Sequence, residues 1–435
     1  MVRIIVCHSL EELCNVIKWT QETGRKIMVS SQTKYQNSDI ARSRTNTKNA
    51  INVVVAMKRI HHILDGVIEV DAGCSWVDIV RHIHPLGYTI KSCQSGLTFS
   101  IGGSICGNIH GRKTHCPMLI DTVESLDFVD SNGQLHRVTK HDAHFQAFFG
   151  SLGLLGIITR ARLRLMQDLM VVKVNRVLKP LDVVPFTRYA LANTNIVMLN
   201  MQIGTDSVLC QYHYHDTSNK GQTTKNPLQG VSDSNIFTIA WFTVVVIFLL
   251  IVRSIGYIDT FELEKRKFLN DRSVGVPRSI NNNYDVWCRP YIPNFKILEL
   301  FFPLHDYDYS YATLLSIFKA HTSLVSYGSR VIWQDHRSRM HFMSFSEDAT
   351  REQPWLSMVI NCVASPTAQR RVARAIHEKI LSTGHRLTYH TTYLWEFDRH
   401  IVHIMFPNIN NFNTFKNQLD PKSVFTNEFY IRYIK

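Results

Sequence analysis

The stretch Ser100-Ile101-Gly102-Gly103-Ser104-Ile105-Cys106-Gly107-Asn108-Ile109-His110-Gly111 decides how this sequence is interpreted. It places four glycines among small and amide-bearing residues, with a histidine directly before the last glycine. Because glycine has no Cβ and admits positive φ, such a segment lets another group approach the main chain and aligns N–H groups against a phosphate. The composition therefore predicts a loop that binds a phosphorylated cofactor. A glycine-rich turn that only reverses the chain is the simpler alternative.

Other blocks flank this stretch in a characteristic order. They are Val70–Arg81 and Leu86–Ile90 upstream, and Asp121–Gly133 and Phe145–Thr159 downstream. In order and spacing they resemble the FAD-binding domain of the vanillyl-alcohol oxidase superfamily, the PCMH-type fold. The resemblance implies an α+β protein with a two-subdomain PCMH-type FAD-binding domain, an α+β cap domain for the substrate, and a C-terminal tail that returns to the FAD domain.

The domain organisation follows from this resemblance and from periodicity. We expect an FAD-binding domain at residues 1–165, a cap domain at 166–385, and a C-terminal segment at 386–435 that packs back on the FAD domain. Within these, residues 9–23 predict an amphipathic helix capped by Ser9. Further elements are expected as strands of a second sheet at Leu298–Pro303 and Leu356–Asn361, a basic amphipathic helix at Pro366–Ser382, and a surface loop at Thr217–Asn235.

The C-terminal region narrows the resemblance. Met405-Phe406-Pro407 and the later stretch Leu419–Asn427 are similar to the closing segment of the aldonolactone-oxidase and decaprenylphosphoryl-ribose-oxidase branches. What these branches imply is oxidation of a CH–OH group with hydride transfer to FAD. The residues that the resemblance places at the reacting centre are His110, Tyr393, Tyr35 and Glu299. Those it places around the cofactor are Ser30, Ser31, Gln32, Thr33, Gly102, Gly103, Ser104, Gly107, Asn108, Gly111, Gly153, Gly156, Ile157, Ile158 and Asn427.

The sequence departs from the family in its first phosphate loop. The segment Val29–Asn37 has a tyrosine but none of the family's glycines, so hydroxyls of Ser30, Ser31 and Thr33 would have to donate to phosphate. It also holds no histidine or cysteine for a covalent flavin bond. We therefore expect noncovalent FAD.

A second departure concerns a lysine that relatives place before the C-terminal segment. Tyr393 stands at that position here. Either Tyr393 or His390 then serves as acid/base, or turnover is impaired. Glu299 matches a strand glutamate of the aldonolactone oxidases, although a solvent-facing strand glutamate is an equally ordinary explanation.

Charge and cysteine content limit the partners. The 435 residues carry a formal charge of +13, but lysine and arginine are scattered and no nucleic-acid-binding pattern is present. The excess charge suits anionic substrates or a negatively charged membrane surface. Nine widely spaced cysteines without a CxxC pair predict reduced and mostly buried thiols. We expect no metal site.

Residues 236–252 form an uncharged apolar segment that admits three interpretations. It is a buried element of the second domain, a transmembrane helix, or a segment that dips into one leaflet. Seventeen residues is the lower limit for a span, and a span would separate the halves of one enzyme. We favour the segment that dips into the membrane, with Arg253, Lys265, Arg266 and Lys267 near the headgroups. The protein is then expected to be membrane-associated and to face the cytoplasm.

Three functions remain open at this point. The first is an FAD-dependent oxidase or dehydrogenase of a sugar, a sugar lactone or a polyprenyl-phosphate sugar, with oxygen or a quinone as electron acceptor. The second is a flavin-dependent reductase of a sterol or lipid C=C bond, which would require a nicotinamide. The third is a catalytically impaired flavin-fold binding protein, which the lost glycines and lysine favour.

Overall fold

A computed structural model of the protein describes residues 3–31, 39, 49–94, 96–204, 206–217, 240, 243–245, 247, 260–283, 292–334, 343–345 and 348–435. The helices are α1 Leu10–Glu22, α2 Trp76–Ile83, α3 Ile101–Cys106, α4 Val183–Ala192, α5 Thr260–Leu269, α6 Tyr307–His321, α7 Pro366–Lys379, α8 Arg399–Met405 and α9 Ile409–Leu419, and a π-helical turn spans Tyr430–Ile434. The strands are β1 Arg3–Cys7, β2 Lys26–Ser31, β3 Ala50–Val55, β4 Ile60–Leu64, β5 Val67–Asp71, β6 Tyr88–Ile90, β7 Val123–Val129, β8 Leu135–Thr139, β9 Ile157–Gln167, β10 Met170–Leu178, β11 Ile196–Ile203, β12 Val208–His215, β13 Pro277–Ser279, β14 Phe295–Pro303, β15 Ser323–Ile332, β16 Trp355–Val363 and β17 Thr388–Tyr389.

A small parallel sheet begins the fold, with strand order β1-β3-β2. Helix α1 covers it through Leu13 and Ile17, which are fully buried. The C-terminal tail adds to the edge of this sheet, because Ile27 N–H donates to the Val424 carbonyl at 2.7 Å and Thr426 N–H donates to the Ile27 carbonyl at 2.9 Å. The return of the tail to the N-terminal sheet is therefore confirmed.

A second sheet has the order β4-β5-β9-β7-β8, with β6 paired to β9. Helix α2 packs its buried face, which includes Trp76 and Ile79, into the same hydrophobic core. Ser75 caps this helix by accepting from Asp78 N–H, while the Asp78 carboxylate accepts from Ser75 N–H. The glycine-rich stretch follows as the short helix α3, whose packing against β9 sets its place in the fold.

The third sheet is antiparallel and has the order β13-β10-β12-β11-β15-β16-β14-β17. Helices α6 and α7 pack against each other, and α6 also contacts β14 and β15. The two strands predicted for this sheet are present as β14 and β16, and the predicted basic helix is present as α7. Strand alternation on β14 places Ile297, Glu299 and Phe301 on one face of the sheet.

The α+β class and the capped N-terminal helix are confirmed. The cysteines among the described residues are free, and most are buried. The predicted surface loop at Thr217–Asn235 and most of the apolar segment 236–252 lie outside the described residues. In the described part of the chain, no helix combines the length and the apolar character needed to cross a membrane.

Candidate active site

The backbone after helix α3 carries His110 to the third sheet. Asn108 has φ +49°, a left-handed conformation that asparagine tolerates, and it reverses the chain behind the helix. His110 then pairs with Met118 in an isolated antiparallel bridge. Residues 112–114 continue alongside β11, since Thr114 N–H donates to the Val197 carbonyl at 3.1 Å. This path places the histidine between the glycine-rich helix and the large sheet.

His110 faces Glu299 of β14. The Nε2 atom of His110 lies 3.0 Å from Oε1 of Glu299, and both side chains are less than a tenth exposed. Burial raises the pKa of the Glu299 carboxyl, but the adjacent His110, together with His390 and Arg330, outweighs burial and holds that pKa at about 2. Glu299 is therefore an ionised carboxylate in the interior. The alternative of a solvent-facing strand glutamate is wrong.

The other nitrogen of His110 is also buried. Its Nδ1 atom has no hydrogen-bond partner among the described residues. Since Nε2 faces the Glu299 carboxylate at 3.0 Å, Nδ1 is the ring nitrogen that remains available to a bound group. The pair thus presents a ring nitrogen, oriented by a carboxylate, to which no described residue bonds.

Aromatic rings surround this pair. Phe301 and Phe345 stack with ring centroids 4.1 Å apart, and each meets His110 edge-on at 5.6 and 5.8 Å. His390 stacks on Phe345 at 5.0 Å and lies 6.2 Å from the His110 ring. The His110–Glu299 pair is therefore enclosed by apolar surface, where an electrostatic interaction is stronger than in water.

The turn after β17 brings the C-terminal candidates to the same place. His390 is buried, and burial, with a further contribution from His110, lowers its pKa to about 4 against the opposing effect of Glu299. Its Nδ1 lies 2.8 Å from Thr392 Oγ1. The Tyr393 ring lies 5.5 Å from the His390 ring. His390 thus connects His110 to Tyr393, and the structure brings three of the four predicted reacting-centre residues together.

The glycine-rich stretch differs from its prediction. It is a helix and not a loop, because Ser100 caps it by accepting from Gly103 N–H at 3.2 Å. The N–H groups of Gly102, Gly107 and Gly111 donate to protein carbonyls, namely those of Ala72, Gly103 and Pro117. Those N–H groups, which were expected to face a phosphate, are used within the fold.

The glycines have different steric roles. A Cβ on Gly111 would stand 2.3 Å from the Cys93 carbonyl oxygen, and one on Gly102 would stand 3.0 Å from Ala72 Cβ, so both glycines are needed for packing. A Cβ on Gly107 would meet Thr392 Cγ2 at 3.0 Å. Only the Ser100 hydroxyl lies within 4 Å of the Cβ position on Gly103, which is exposed. Gly103 thus leaves room for an approaching group, although its N–H already donates to the Ser100 hydroxyl.

Two predicted hydroxyl ligands have other partners. Ser104 Oγ is buried and accepts from Trp76 Nε1 at 3.0 Å. Ser30 Oγ is buried and donates to Asn52 Oδ1 at 2.9 Å. Asn108, also predicted, is fully buried, with Nδ2 at 3.5 Å from Ser344 Oγ. The hydroxyls of Ser30 and Ser104 face the core in this structure, and their place beside the cofactor stays a prediction. Gln32, Thr33, Tyr35 and the Ser31 side chain lie outside the described residues.

The residues expected beside the adenosine half form a turn and the start of β9. Gly153 has φ +74°, and Gly156, at φ +154°, has no room for a Cβ, which would stand 2.7 Å from Phe128 Cδ2. Ile157 and Ile158 are buried in the core. Asn427 of the tail donates to the Leu152 carbonyl at 3.0 Å and so fastens the tail to this turn.

Sequence reasoning missed several neighbours of the site. Phe345 and Arg330 carry no local motif, and their roles follow only from packing. Asp39, beyond the first loop, reaches the site because its N–H donates to the Thr392 carbonyl at 3.1 Å. Lys296 places its amine 3.6 Å from Asp39 Oδ2 and 3.3 Å from the Leu394 carbonyl. A lysine amine therefore lies close to the turn that carries Tyr393, although it comes from a different strand.

These features fit a bound flavin. Gly103 leaves open space beside helix α3, and His110 Nδ1 is a buried ring nitrogen that lacks a partner in the described structure. Helix α3 and the turn at Thr392 lie side by side, since a Cβ on Gly107 would stand 3.0 Å from Thr392 Cγ2, and Asp39 N–H donates to the Thr392 carbonyl. The residues present are compatible with FAD at this position.

Comparisons with known proteins agree. Residues 2–139 match the family model of an FAD binding domain. Cytokinin dehydrogenase 3 of Arabidopsis thaliana is 32% identical over 102 residues, which cover 22% of this chain and 19% of that protein. Decaprenylphosphoryl-β-D-ribose oxidase of Mycolicibacterium smegmatis is 30% identical over 28% of each chain. D-arabinono-1,4-lactone oxidase of Eremothecium gossypii is 26% identical over 36% of this chain and 30% of that protein. The chain thus spans less than a third of the length of the curated relatives it matches.

The fold extends the comparison to the whole chain. The crystal structure of cholesterol oxidase from Brevibacterium sterolicum superimposes with a TM-score of 0.73, covering 99% of this chain and 94% of that chain at 12% identity. That likeness shows a common fold. Residues 2–139 therefore match a PCMH-type FAD-binding domain with FAD as its cofactor, and over part of its length the chain is similar to cytokinin dehydrogenases and to the decaprenylphosphoryl-ribose and aldonolactone oxidases.

Proposed function

We propose that this protein is an FAD-dependent oxidoreductase that oxidises a CH–OH group of a sugar, a sugar lactone or a polyprenyl-phosphate sugar. The observation that carries the proposal is the buried His110–Glu299 pair with its unused Nδ1 atom. Oxidation of an alcohol needs a base for the hydroxyl proton, and a histidine oriented by a carboxylate is such a base. The names of the ribose and lactone oxidases among the relatives support this substrate class.

The two residues have separate roles. Glu299 orients the His110 ring through the 3.0 Å contact with Nε2, so that Nδ1 can accept the hydroxyl proton of the substrate. After proton transfer His110 is an imidazolium, and the ionised Glu299 stabilises its charge at 3.0 Å. Bound FAD would take the hydride from the carbon that carries this hydroxyl. The surrounding Phe301 and Phe345 rings exclude water from the proton transfer.

Tyr393 and His390 complete the centre. With a pKa of about 4, His390 is neutral above that pH and adds no second positive charge beside His110. Thr392 Oγ1 holds the His390 ring in place. Tyr393, as the counterpart of the family lysine, contributes a hydroxyl donor and no fixed charge. Tyr35, the fourth predicted residue, stays a proposal.

FAD is proposed to be noncovalent, because the first loop offers no histidine or cysteine for a bond. A visible spectrum of the purified protein tests for flavin, and heat or acid should release FAD intact. A flavin-modified peptide in mass spectrometry would contradict the noncovalent assignment.

Substrate reduction of the flavin tests the proposed activity. Oxidised protein is mixed anaerobically with aldonolactones, sugar phosphates and a polyprenyl-phosphate sugar, and flavin bleaching is followed. A cytokinin and cholesterol belong in the panel because those names occur among the similar proteins. If a reduced nicotinamide bleaches the flavin and a sterol with a C=C bond then reoxidises it, the protein is the reductase instead. Bound flavin that none of these reduces would favour the binding protein, which the lost first-loop glycines also support.

We also propose attachment to a membrane through residues 236–252, with the protein facing the cytoplasm. Residues 243–245 and 247 are helical, and Val244 and Ile247 are 57% and 44% exposed. Arg266 and Lys267 follow in the last turn of α5. Exposed apolar side chains next to cations suit an anionic lipid surface.

The proposed domain boundaries are residues 165 and 385. Residue 165 lies in β9, which is the last strand of the second sheet in sequence order. The next strand, β10, belongs to the third sheet. Residue 385 precedes β17 and the tail, which reaches the N-terminal sheet at Ile27.

A further inference from the structure

A buried polar cluster lies where the chain passes from the second sheet to the third. Strand β9 ends at Gln167 and β10 begins at Met170, so Asp168 stands in the short link between the two sheets. Its side chain is 8% exposed, with Oδ2 accepting from Ser279 Oγ of β13 at 2.6 Å and lying 3.3 Å from His84 Nδ1. Because His84 directly follows helix α2, which packs in the core of the second sheet, this carboxyl group contacts elements of both sheets.

Asn281 bridges the same two parts of the fold. Its Nδ2 atom lies 3.1 Å from the Tyr88 carbonyl oxygen and 3.2 Å from His84 Nδ1, while its Oδ1 atom accepts from Thr89 Oγ1 at 2.7 Å. Asn281 follows β13 of the third sheet, whereas Tyr88 and Thr89 belong to β6. His84, Thr89 and Asn281 are all at most 5% exposed. The joint between the two sheets is thus a polar contact closed from solvent.

The hydrogen-bond directions in this cluster decide where a proton lies. The Tyr88 carbonyl can only accept, which turns the NH₂ group of Asn281 toward Tyr88 and His84. His84 Nδ1 then accepts from this NH₂ group and has no proton to give to Asp168. An ionised carboxylate at 3.3 Å would face a lone pair, whereas a protonated carboxyl donates to it. A neutral carboxylic acid therefore satisfies these contacts.

The groups around Asp168 leave the acid form favoured. His84 faces it from the turn after α2, Ser279 from β13, and Lys113 from the segment that pairs with β11. Burial raises the pKa of the Asp168 carboxyl, and this effect outweighs the opposite effects of these three groups and of the Leu169 N–H. Burial also lowers the pKa of the Lys113 amine. The carboxyl therefore stays protonated above the pH at which an exposed aspartate ionises.

We propose that Asp168 is a neutral carboxylic acid that donates to His84 Nδ1, and that its ionisation as pH rises loosens the joint between the second and third sheets. Loss of the proton breaks the contact with His84 and leaves a buried negative charge beside a lone pair. The joint matters to the candidate site, because Glu299 belongs to the third sheet while His110 follows helix α3.

Asp168→Asn mimics the neutral acid, because its amide can donate to His84 Nδ1 without carrying a charge. Its joint should therefore stay closed as pH rises. Asp398→Asn is the matched control, since Asp398 is exposed and its side chain makes no helix-capping bond. Hydrogen exchange of the Ile280 N–H, which donates to the Leu169 carbonyl at 2.8 Å across the joint, is measured at pH 5 and pH 9 in the FAD-loaded proteins.

We expect the protection factor of the Ile280 N–H to fall by about tenfold from pH 5 to pH 9 in the parent and in Asp398→Asn, which is the effect of one pKa unit. In Asp168→Asn it should stay constant. An equal fall in Asp168→Asn and the parent overturns the proposal. None of these measurements uses a substrate, so they are independent of the proposed alcohol oxidation.

Infrared difference spectra over the same pH range test the proton itself. A neutral carboxyl has a C=O stretching band that a carboxylate lacks, so the parent should lose one such band as pH rises, and Asp168→Asn should lack it. Ser279→Ala is a second variant, which removes a hydroxyl that lowers the pKa of Asp168. It should keep the band to higher pH. A band that is unchanged in Asp168→Asn, or that does not shift in Ser279→Ala, shows that Asp168 is not the proton carrier.

Discussion

A carboxylate that stays ionised in an apolar enclosure depends on its partner. Glu299 is 5% exposed, and without His110 its charge would lack the contact that offsets its loss of solvation. A substitution of His110 therefore acts in two ways, by removing a base and by leaving a buried charge less compensated. Flavin content and stability must be measured together with rate to separate these effects.

The first prediction concerns His110. His110→Ala should keep FAD bound but slow reduction of the flavin by substrate by about 10²–10⁴-fold, the range expected for one positioned acid/base group. Glu299→Gln should give a smaller loss, because the amide oxygen can still accept from Nε2–H but cannot stabilise the imidazolium charge. Anaerobic stopped-flow bleaching measures both rates. If His110→Ala is reduced as fast as the parent, His110 is not the base.

The second prediction concerns acid stability. The pKa of His390 is about 4 in the folded protein against a usual 6.5, so between these pH values the unfolded chain binds more protons. Stability therefore falls as pH drops from 6.5 to 4, by up to about 1.4 kcal/mol per pH unit for this one group. Glu299, with a pKa of about 2 against 4.5, acts in the same direction between those values.

Urea unfolding at pH 7 and pH 5 checks this, with His390→Phe as the test variant, because it keeps a ring on Phe345 and removes the titrating group. Its stability should depend less on pH than that of the parent. His305→Phe, at a side chain that is 64% exposed, is the control and should keep the parent's pH dependence. An unchanged pH dependence in His390→Phe would contradict the assignment.

At the scale of single residues, the sequence predicted which residues belong to the site better than it predicted which partners their side chains bond to. His110 and Glu299 were both predicted through the family resemblance, and they touch. Ser30 and Ser104 were predicted beside the cofactor, yet each hydroxyl bonds to a core partner, Asn52 or Trp76, from another element. A hydroxyl's partner depends on tertiary packing, and its position in a motif does not determine it.

Elements that carry their own signals were predicted well. Helix α1 begins after its Ser9 cap and buries Leu13 and Ile17, as its periodicity indicated. The glycine-rich stretch was predicted as a loop but forms helix α3, because the Ser100 cap and packing on β9 outweigh the low helix propensity of its glycines. The Ser100 cap can be predicted from the sequence, but the packing of this helix on β9 cannot.

The third prediction concerns the element that fastens the tail. Lys416 and Asp420 form an ion pair at the end of α9 with both side chains fully buried, and Asp420 also accepts from Val424 and Phe425 N–H. Asp420→Asn leaves the Lys416 charge without its counter-ion and should cost about 3–5 kcal/mol. Urea unfolding measures the loss of stability. We also expect the tail to lose its hydrogen bonds to Ile27 in this variant.

Glu428→Gln is the matched control for this pair. Glu428 and Arg432 have the same i,i+4 spacing, but the Arg432 side chain is 37% exposed. We expect a loss of about 0–1 kcal/mol there. Equal losses in the two variants would show that burial of the Lys416–Asp420 pair does not matter to the tail.

At the scale of the whole molecule, the site is made by topology. Residues 110, 299 and 390 are far apart in sequence, and they meet because residues 112–114 pair with β11 while His390 N–H donates to the Glu299 carbonyl at 2.9 Å. No spacing rule in one sequence predicts such a convergence; only the resemblance to a family did so. The aromatic wall at Phe345 had no signal of either kind.

The last prediction concerns membrane attachment. Val244→Asp combined with Ile247→Asp places two charges on exposed apolar positions of the segment 236–252, and we expect binding to vesicles that contain an anionic phospholipid to fall by about tenfold or more. Co-sedimentation with such vesicles measures it. Leu64→Asp combined with Leu135→Asp is the control, because it makes the same chemical change at exposed positions of the second sheet, 64% and 51% exposed, and should leave binding unchanged. Flavin content should be equal in all variants, since neither pair of residues lies in the site. Release of the protein together with loss of flavin would instead show that the segment belongs to the core, and undiminished binding would show that the membrane is held elsewhere.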